Sequence, residues 1–164
     1  MGQLEEQVER AKELLADIHH IAISTVNPDG TPHCSPVFMV FDDQLNTYWI
    51  SQTDSQHSQN IQAGGDVFLV VFDSRQGKGG LYIRGKAYVL ESAQQAELAH
   101  AKLKQQSDRV GGLDDYLGES LQRIYCATPD TLWVNQSEQN AAGVIVSDSR
   151  FEIPLSLLTG KDVE

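Results

Sequence analysis

The segment Leu81–Val89 alternates throughout its length between apolar or small side chains and charged or tyrosine side chains. Successive residues of a strand point to opposite faces of a sheet, so this period of two predicts a strand with one buried and one exposed side. Half-buried strands belong mainly to antiparallel sheets, whereas the strands of parallel sheets are apolar on both faces. The alternation therefore favours an antiparallel β protein over a doubly wound α/β sheet.

A β-hairpin is predicted upstream, from His20–Val26 and Thr31–Phe41. The connection at 27–30 reads Asn-Pro-Asp-Gly, which combines two dipeptides that are common in turns. Pro36 lacks a backbone donor, and we expect a bulge or an unpaired edge at that point. The apolar run Val37–Phe41 indicates a segment that is buried on both faces.

The other elements are short and closely spaced. Further strands are predicted at Thr47–Ser51, Val67–Phe72, Ile124–Val134, Gly143–Val146 and Phe151–Leu155. Helices are predicted at Gln3–Asp17, from a cap at Asp54 or Ser55 to about Ala63, from the capping box of Ser92 and Gln95 to about Gln106, and at Leu113–Arg123. This order predicts a mainly β, α+β chain that forms a single domain over residues 1–164. It would be an antiparallel barrel with an N-terminal helix at about 3–17 and a helical insertion at about 92–123.

The chain is strongly acidic, with 12 Lys and Arg against 23 Asp and Glu among 164 residues and a net charge of -11. A broad basic surface for nucleic acid or an anionic membrane is therefore not expected. The charge is also uneven, because no Lys or Arg occurs between Glu13 and Ser74. Basic residues then follow closely, at Arg75, Lys78, Arg84 and Lys86.

Targeting signals and a disulfide framework are not expected. The apolar runs Val37–Phe41 and Val67–Phe72 are too short to span a bilayer, and Met1–Asp17 is acidic without the apolar stretch of a signal peptide. Two cysteines, Cys34 and Cys126, are too few for a secreted disulfide scaffold. The sequence predicts a soluble cytoplasmic protein with free thiols.

Motif spacing alone leaves the chemistry open. The five histidines show no usual metal-ligand spacing with cysteine or carboxylate, so no metal site is predicted. The loop Gly77–Gly80 contains a Gly-Lys pair but leads into a strand, which is incompatible with a phosphate loop that opens a helix. Nucleophile-elbow, kinase and dinucleotide signatures are also missing from the sequence.

Several segments, taken in order, resemble the pyridoxamine 5′-phosphate oxidase-like proteins, which are FMN-binding split β-barrels. Residues 21–37 are similar to the opening hairpin of that family. The later segments that resemble family strands and a short helix are Thr47–Ser51, Asp54–Ile61, Val67–Phe72, Gly80–Ala87 and Tyr125–Val134. Together they cover most of Ile18–Val134.

The resemblance implies a homodimer with two FMN sites at the interface and a small-molecule substrate. The implied cofactor-binding residues are Ser35, Pro36, Val37, Ser51, Ser55, Gln56, His57, Lys78 and Gly80. The first three would lie along the isoalloxazine ring through their backbone, and the next four would face the phosphate. The last two would come from the partner chain, whose loop and strand around Gln76–Leu81 would complete the site.

Three departures from the family pattern bear on function. Gln56 and His57 stand where the family has Arg and Lys in its phosphate clamp, and Ser35 stands where true oxidases often have Arg. Because a hydrogen bond to a charged group is worth about 1.5–3 kcal/mol, the loss would weaken FMN binding more than about tenfold unless Arg75, Lys78 or Arg84 of a partner compensates. The segment 151–158 also lacks the Trp and the Arg-Leu motif of the true oxidases, so vitamin B6 oxidation is not expected.

Three functions stay open at this point. The first is an FMN-dependent oxidoreductase that acts on an unidentified small molecule. The second is a module that binds flavin, deazaflavin or haem without turnover, and the third is a barrel dimer without a cofactor. For the first, no catalytic residue follows from the sequence, and His33 and His57 are candidate proton donors by residue type only.

Overall fold

Seven antiparallel strands form one sheet in the computed structural model, which describes residues 2–74 and 79–159. The strands are β1 His20–Val26, β2 Pro32–Phe41, β3 Thr47–Gln52, β4 Asp66–Phe72, β5 Gly80–Val89, β6 Gln122–Gln139 and β7 Ile145–Glu152. The helices are α1 Gln3–Asp17, α2 Gln56–Gly64 and α3 Ala93–Gln106, with short 3-10 turns at Leu113–Tyr116 and Leu155–Leu157.

The first six strands close into a barrel. The order along the sheet is β3-β2-β1-β4-β5-β6-β7, and β3 also pairs with β6 over Thr47–Gln52 and Gln122–Ala127. Closure leaves the barrel without long unpaired edges. The second half of β6 runs on beyond the barrel and forms a ribbon with β7. This architecture agrees with the predicted α+β antiparallel barrel in a single domain.

Two apolar clusters hold the barrel and its helices together. Inside the barrel, Trp49 and Tyr125 stack with ring centroids 5.7 Å apart, and α1 and α2 add Ala11, Leu14 and Ile61 to the same core. Outside the barrel, α3 packs on β2, β3 and β6. That second cluster includes Val40, Tyr48, Leu90, Ala96, Ala99, Leu103 and Ile124. Val37–Phe41 is therefore buried from both sides, because this part of β2 lies between the barrel interior and α3.

Local sequence signals account for most element boundaries. The predicted N-terminal helix is confirmed at Gln3–Asp17, and the capping box of α3 forms between Ser92 and Gln95. Gly65 ends α2 in the left-handed region, with φ 74°. Pro36 lies opposite Ala22 in a continuous register but beyond the part of β2 that pairs with β3. The predicted edge is therefore confirmed, while the alternative of a bulge is wrong.

The C-terminal part of the prediction needs correction. The helix predicted at Leu113–Arg123 is only a 3-10 turn, because Gly118 adopts a φ of 60° and β6 begins at Gln122. The strands predicted at Gly143–Val146 and Phe151–Leu155 are instead one strand, β7, since its partner β6 continues to Gln139. Pairing within the ribbon overrides the polar composition of this segment.

Cys34 is exposed, Cys126 is buried, and both are free. Among the residues described, no helix has the length and apolar character needed to cross a bilayer.

Candidate functional site

Three serines and a histidine meet where β3 ends and α2 begins. The Nε2 atom of His57 lies 2.8 Å from the Ser51 hydroxyl and 3.3 Å from the Ser55 hydroxyl. The Ser55 hydroxyl lies 2.9 Å both from the Ser58 hydroxyl and from the Gln52 carbonyl oxygen. We call Ser51, Ser55, His57 and Ser58 the serine–histidine cluster. It places several neutral hydrogen-bonding groups around one end of the barrel.

The cluster surrounds the N-terminus of α2. Ser55 is the N-cap residue in an extended conformation, but its hydroxyl makes no capping bond to the first turn. The amides of a first helical turn have no partner within the helix, and they carry the positive end of its dipole. An anion is the natural partner for such amides when hydroxyl donors lie beside them.

His33 of β2, which the sequence predicts only as a candidate proton donor, also belongs to the site. Its ring stacks on that of His57, with centroids 6.5 Å apart and planes inclined by 17°. The Nε2 atom of His33 lies 2.9 Å from the hydroxyl of Ser35. The hairpin thus brings Ser35 to the same end of the barrel as the serine–histidine cluster.

Burial determines the charge of His57. The side chain is 8% exposed, and desolvation lowers its pKa from the ordinary value, with a further lowering from the charge of His33. Imidazole in such surroundings is mainly neutral at pH 7. Because the chain has no Lys or Arg between Glu13 and Ser74, β1–β3 and α2 contribute no permanent cation to this end of the barrel.

Asn60 fixes α2 against the hairpin. Its side-chain amide donates 2.9 Å bonds to the Thr25 hydroxyl and to the Asn27 side-chain oxygen. Asn60 in turn accepts a 3.0 Å bond from the side chain of Gln56. Gln56, predicted to face a phosphate, is thus bonded along the helix. These bonds set the position of the α2 N-terminus relative to His33.

The remaining sequence-predicted residues lie apart from the cluster within one chain. Pro36 is exposed on the outer face of β2, whereas its neighbour Val37 is buried in the barrel core. Gly80 lies at the opposite end of the sheet, where it faces Phe72 and its amide donates a 2.7 Å bond to Asn135. Lys78 lies outside the described residues.

A cavity of about 390 Å³ opens between α3 and the barrel wall. Phe38 and Ile50 contribute apolar surface, and Arg109 contributes a cation. Ile50 directly precedes Ser51, so the cavity and the serine–histidine cluster are neighbours along β3. This cavity was not predictable from the sequence, because the loop that carries Arg109 has no periodic pattern that would place it against β2.

The chain matches the family described as Pyridoxamine 5′-phosphate oxidase over residues 8–135. This match spans the closed barrel, the serine–histidine cluster and α3. The chain belongs to this family. No curated protein matches its sequence significantly.

Solved structures similar to this pyridoxamine 5′-phosphate oxidase family member share its fold. HutZ, the heme storage protein from Vibrio cholerae, is 17% identical with a TM-score of 0.67, over 81% of this chain and 95% of that one. An F420 reductase is 21% identical with a TM-score of 0.58, over 74% and 94%. A Clostridium acetobutylicum protein related to general stress protein 26, of the pyridoxinephosphate oxidase family, is 14% identical with a TM-score of 0.64, over 89% and 94%.

The barrel of this chain carries a row of apolar side chains across its outer face. Cross-strand register places the members of this row side by side on five strands, as Pro36, Ala22, Val70, Tyr82 and Trp133. Phe68 adds to the row, with its ring 6.1 Å from that of Tyr82 and 6.3 Å from that of Trp133. This row accounts for the apolar character of β4 on both faces.

Proposed function

We propose that this chain is an FMN-binding oxidoreductase that works as a homodimer and acts on a small molecule. The observation that carries the proposal is the convergence of the Ser51 and Ser55 hydroxyls and His57 on the N-terminus of α2. Hydroxyls, imidazole and helix amides are all donors that suit phosphate oxygens. The donor set therefore fits the phosphate of FMN without a permanent cation in this part of the chain.

Each part of the site would have its own task. Ser51, Ser55 and the first-turn amides of α2 would hold the phosphate, and Asn60 would keep that helix end in place. Pro36 offers an exposed apolar surface on the part of β2 that pairs with β1 but not with β3, where a ring system can lie against the strand. FMN, when bound, supplies the hydride chemistry, while the protein contributes binding and orientation.

The cavity beneath α3 is our candidate for the substrate site. Phe38 lines it and lies on the same outer face of β2 as Pro36, two positions along the strand. A substrate in the cavity would therefore lie beside a ring that rests on Pro36. Apolar walls together with Arg109 favour a small, partly apolar molecule that carries a negative charge.

A second copy of the chain would complete the site. The apolar outer row around Val70 is the surface that such a copy would cover. The basic residues that follow Ser74, including Lys78, would then supply the cation that the phosphate end of each barrel lacks. Gly80 lies too far along β5 to serve the cluster of its own chain, so its predicted role also requires a partner.

Binding of haem or a deazaflavin without turnover is a second candidate. HutZ is a heme storage protein, and another solved relative is an F420 reductase, so the fold accommodates cofactors other than FMN. The neutral serine–histidine cluster favours this candidate, because it lacks the Arg and Lys that the family commonly places at the phosphate.

Titration of the purified protein with FMN, followed by fluorescence quenching, tests the first proposal. Ser55→Asp should weaken binding at least tenfold through repulsion of the phosphate, while an acidic residue near the N-terminus preserves the helix. Ser55→Asn, of similar shape but without the charge, is the matched control and should bind much more tightly than Ser55→Asp.

The outcome separates the candidates. Equal FMN affinity of the Asp and Asn variants would overturn the placement of the phosphate. Failure of the wild-type protein to bind FMN, together with tight binding of haem or F420, would favour the second candidate. Tight FMN binding and reduction of the bound flavin in a screen of small-molecule reductants would support the first.

A further inference from the structure

His33 and His57 face each other without a carboxylate between them. Their rings stack at 6.5 Å, and the Nε2 atoms are bonded to the neutral hydroxyls of Ser35 and Ser51. A histidine that stabilises a fold through charge usually pairs with Asp or Glu. Here the Nε2 edge of each ring is directed at a serine hydroxyl. A hydroxyl can donate or accept a hydrogen bond, so the contact can persist when the imidazole gains a proton.

Among the described residues, the elements that pack on α2 bring no charge to His57 other than that of His33. β1 presents Thr25, which is bonded to Asn60, and β3 presents Ser51; both are neutral. On β5, Lys86 lies at the opposite end of α2, where it pairs with Asp66 at 2.6 Å. His33 of β2 is therefore the titratable group that acts on His57 from the packed elements.

Two acidic residues lie in the neighbouring turns. Asp54 is exposed in the turn before α2, and Asp29 is held in the hairpin turn by a 2.6 Å bond from the Thr31 hydroxyl. The hydrogen bonds of the two imidazoles go to serine hydroxyls and not to these carboxylates, and exposed carboxylates at such positions are screened by solvent and salt.

We propose that His33 and His57 form a proton-operated anion clamp, which takes up a proton when a phosphate group binds at the α2 N-terminus. The inference rests on the proposed function, because the ligand is the phosphate of FMN. In the free protein, burial disfavours a proton on His57, and the neighbouring His33 disfavours it further. A phosphate dianion beside them reverses this balance and favours the imidazolium form.

Linkage determines the sign of the effect. If binding takes up a proton, affinity must rise as pH falls, by up to about tenfold per pH unit for each proton. The second pKa of a phosphate monoester is about 6, so the gain should level off below that pH as the ligand itself loses charge. We therefore expect the dissociation constant for FMN to decrease steeply as the pH is lowered from about 8 to about 6.5.

Calorimetric titration with FMN in two buffers of different ionisation enthalpy measures the proton uptake directly. Wild-type protein should take up between about half a proton and one proton per FMN at pH 7, whereas riboflavin, which lacks the phosphate, should take up none. His57→Gln keeps a neutral donor and should abolish most of the uptake and the pH dependence. His100→Gln, on α3 and bonded to the Gly111 carbonyl, is the control that should retain both.

A second measurement keeps the test independent of variant folding. NMR titrations of the wild-type protein against pH, with and without FMN, should show a higher pKa for the His57 imidazole when FMN is bound. FMN binding without proton uptake and without a change in these titrations would overturn the clamp but leave the proposed function standing. Failure to bind FMN at any pH would overturn both.

Discussion

Replacement of Asn60 by Leu should loosen the helix that presents the serine–histidine cluster. Asn60 is 5% exposed and makes three side-chain hydrogen bonds, to Thr25, Asn27 and Gln56. At about 1 kcal/mol each, their loss costs about 3 kcal/mol. The apolar surface of Leu regains about 1 kcal/mol. We therefore expect the free energy of unfolding to fall by about 2 kcal/mol.

Urea unfolding and thermal melting measure this loss. For a domain of this length, about 2 kcal/mol corresponds to a melting temperature lower by about 4–8 °C. The matched control is Gln59→Leu, because Gln59 is an exposed residue of the same helix whose side chain makes one bond of 3.3 Å to the Asp54 carbonyl. The control should change stability by less than about 0.5 kcal/mol. Equal stabilities of the two variants, with unchanged denaturant slopes, would refute the role of Asn60.

Three further outcomes follow from the same structure. Gly85→Ala should cost more than about 2 kcal/mol in chemical denaturation, because a Cβ atom there would lie 2.2 Å from the Thr128 carbonyl oxygen; Gly64→Ala, with open space around it, should be nearly neutral. Because the pKa of His57 is lowered in the folded state, the unfolded state binds more protons as the pH drops through about 6.5, and the free energy of unfolding falls below that pH. In urea unfolding, the midpoint of His57→Gln should therefore decrease less on acidification than that of the wild type. Val70→Arg should convert the expected dimer into a folded monomer in light scattering, and a wild-type protein that is already monomeric would contradict the proposed interface.

The barrel was predictable from the sequence because each strand carries its own local signal. The alternation in Leu81–Val89, the turn residues at 27–30 and the capping box at Ser92 each act within a few residues. The ribbon of β6 and β7 was not predictable in the same way, since its polar residues become a strand only through pairing with each other. The helix predicted at Leu113–Arg123 was wrong for the opposite reason. Its apolar residues have helical spacing, but Gly118 adopts a positive φ and interrupts the helix.

The candidate site was predictable only in part. The resemblance placed Ser51, Ser55 and His57 at one site, and the structure brings the Ser51 and Ser55 hydroxyls to the ring of His57. The resemblance did not place His33 at this site. The stacking of His33 on His57 depends on how α2 lies against the hairpin, and no local pattern encodes that arrangement. The three-way bonding of Asn60 was hidden for the same reason.

The uneven charge of the chain and the geometry of the cluster point to one physical constraint. A phosphate dianion bound at the α2 N-terminus would meet amides, hydroxyls and the buried His57, whose pKa is lowered, in a chain with a net charge of -11. Neutral donors satisfy hydrogen bonds but do not cancel charge, so the remaining compensation must come from a proton or from another chain. A proton on the histidine pair would make binding depend on pH, whereas Arg75 and Lys78 of a partner would make it depend on protein concentration and salt. The dissociation constant for FMN, measured against pH at two salt concentrations and two protein concentrations, therefore separates the two sources of positive charge.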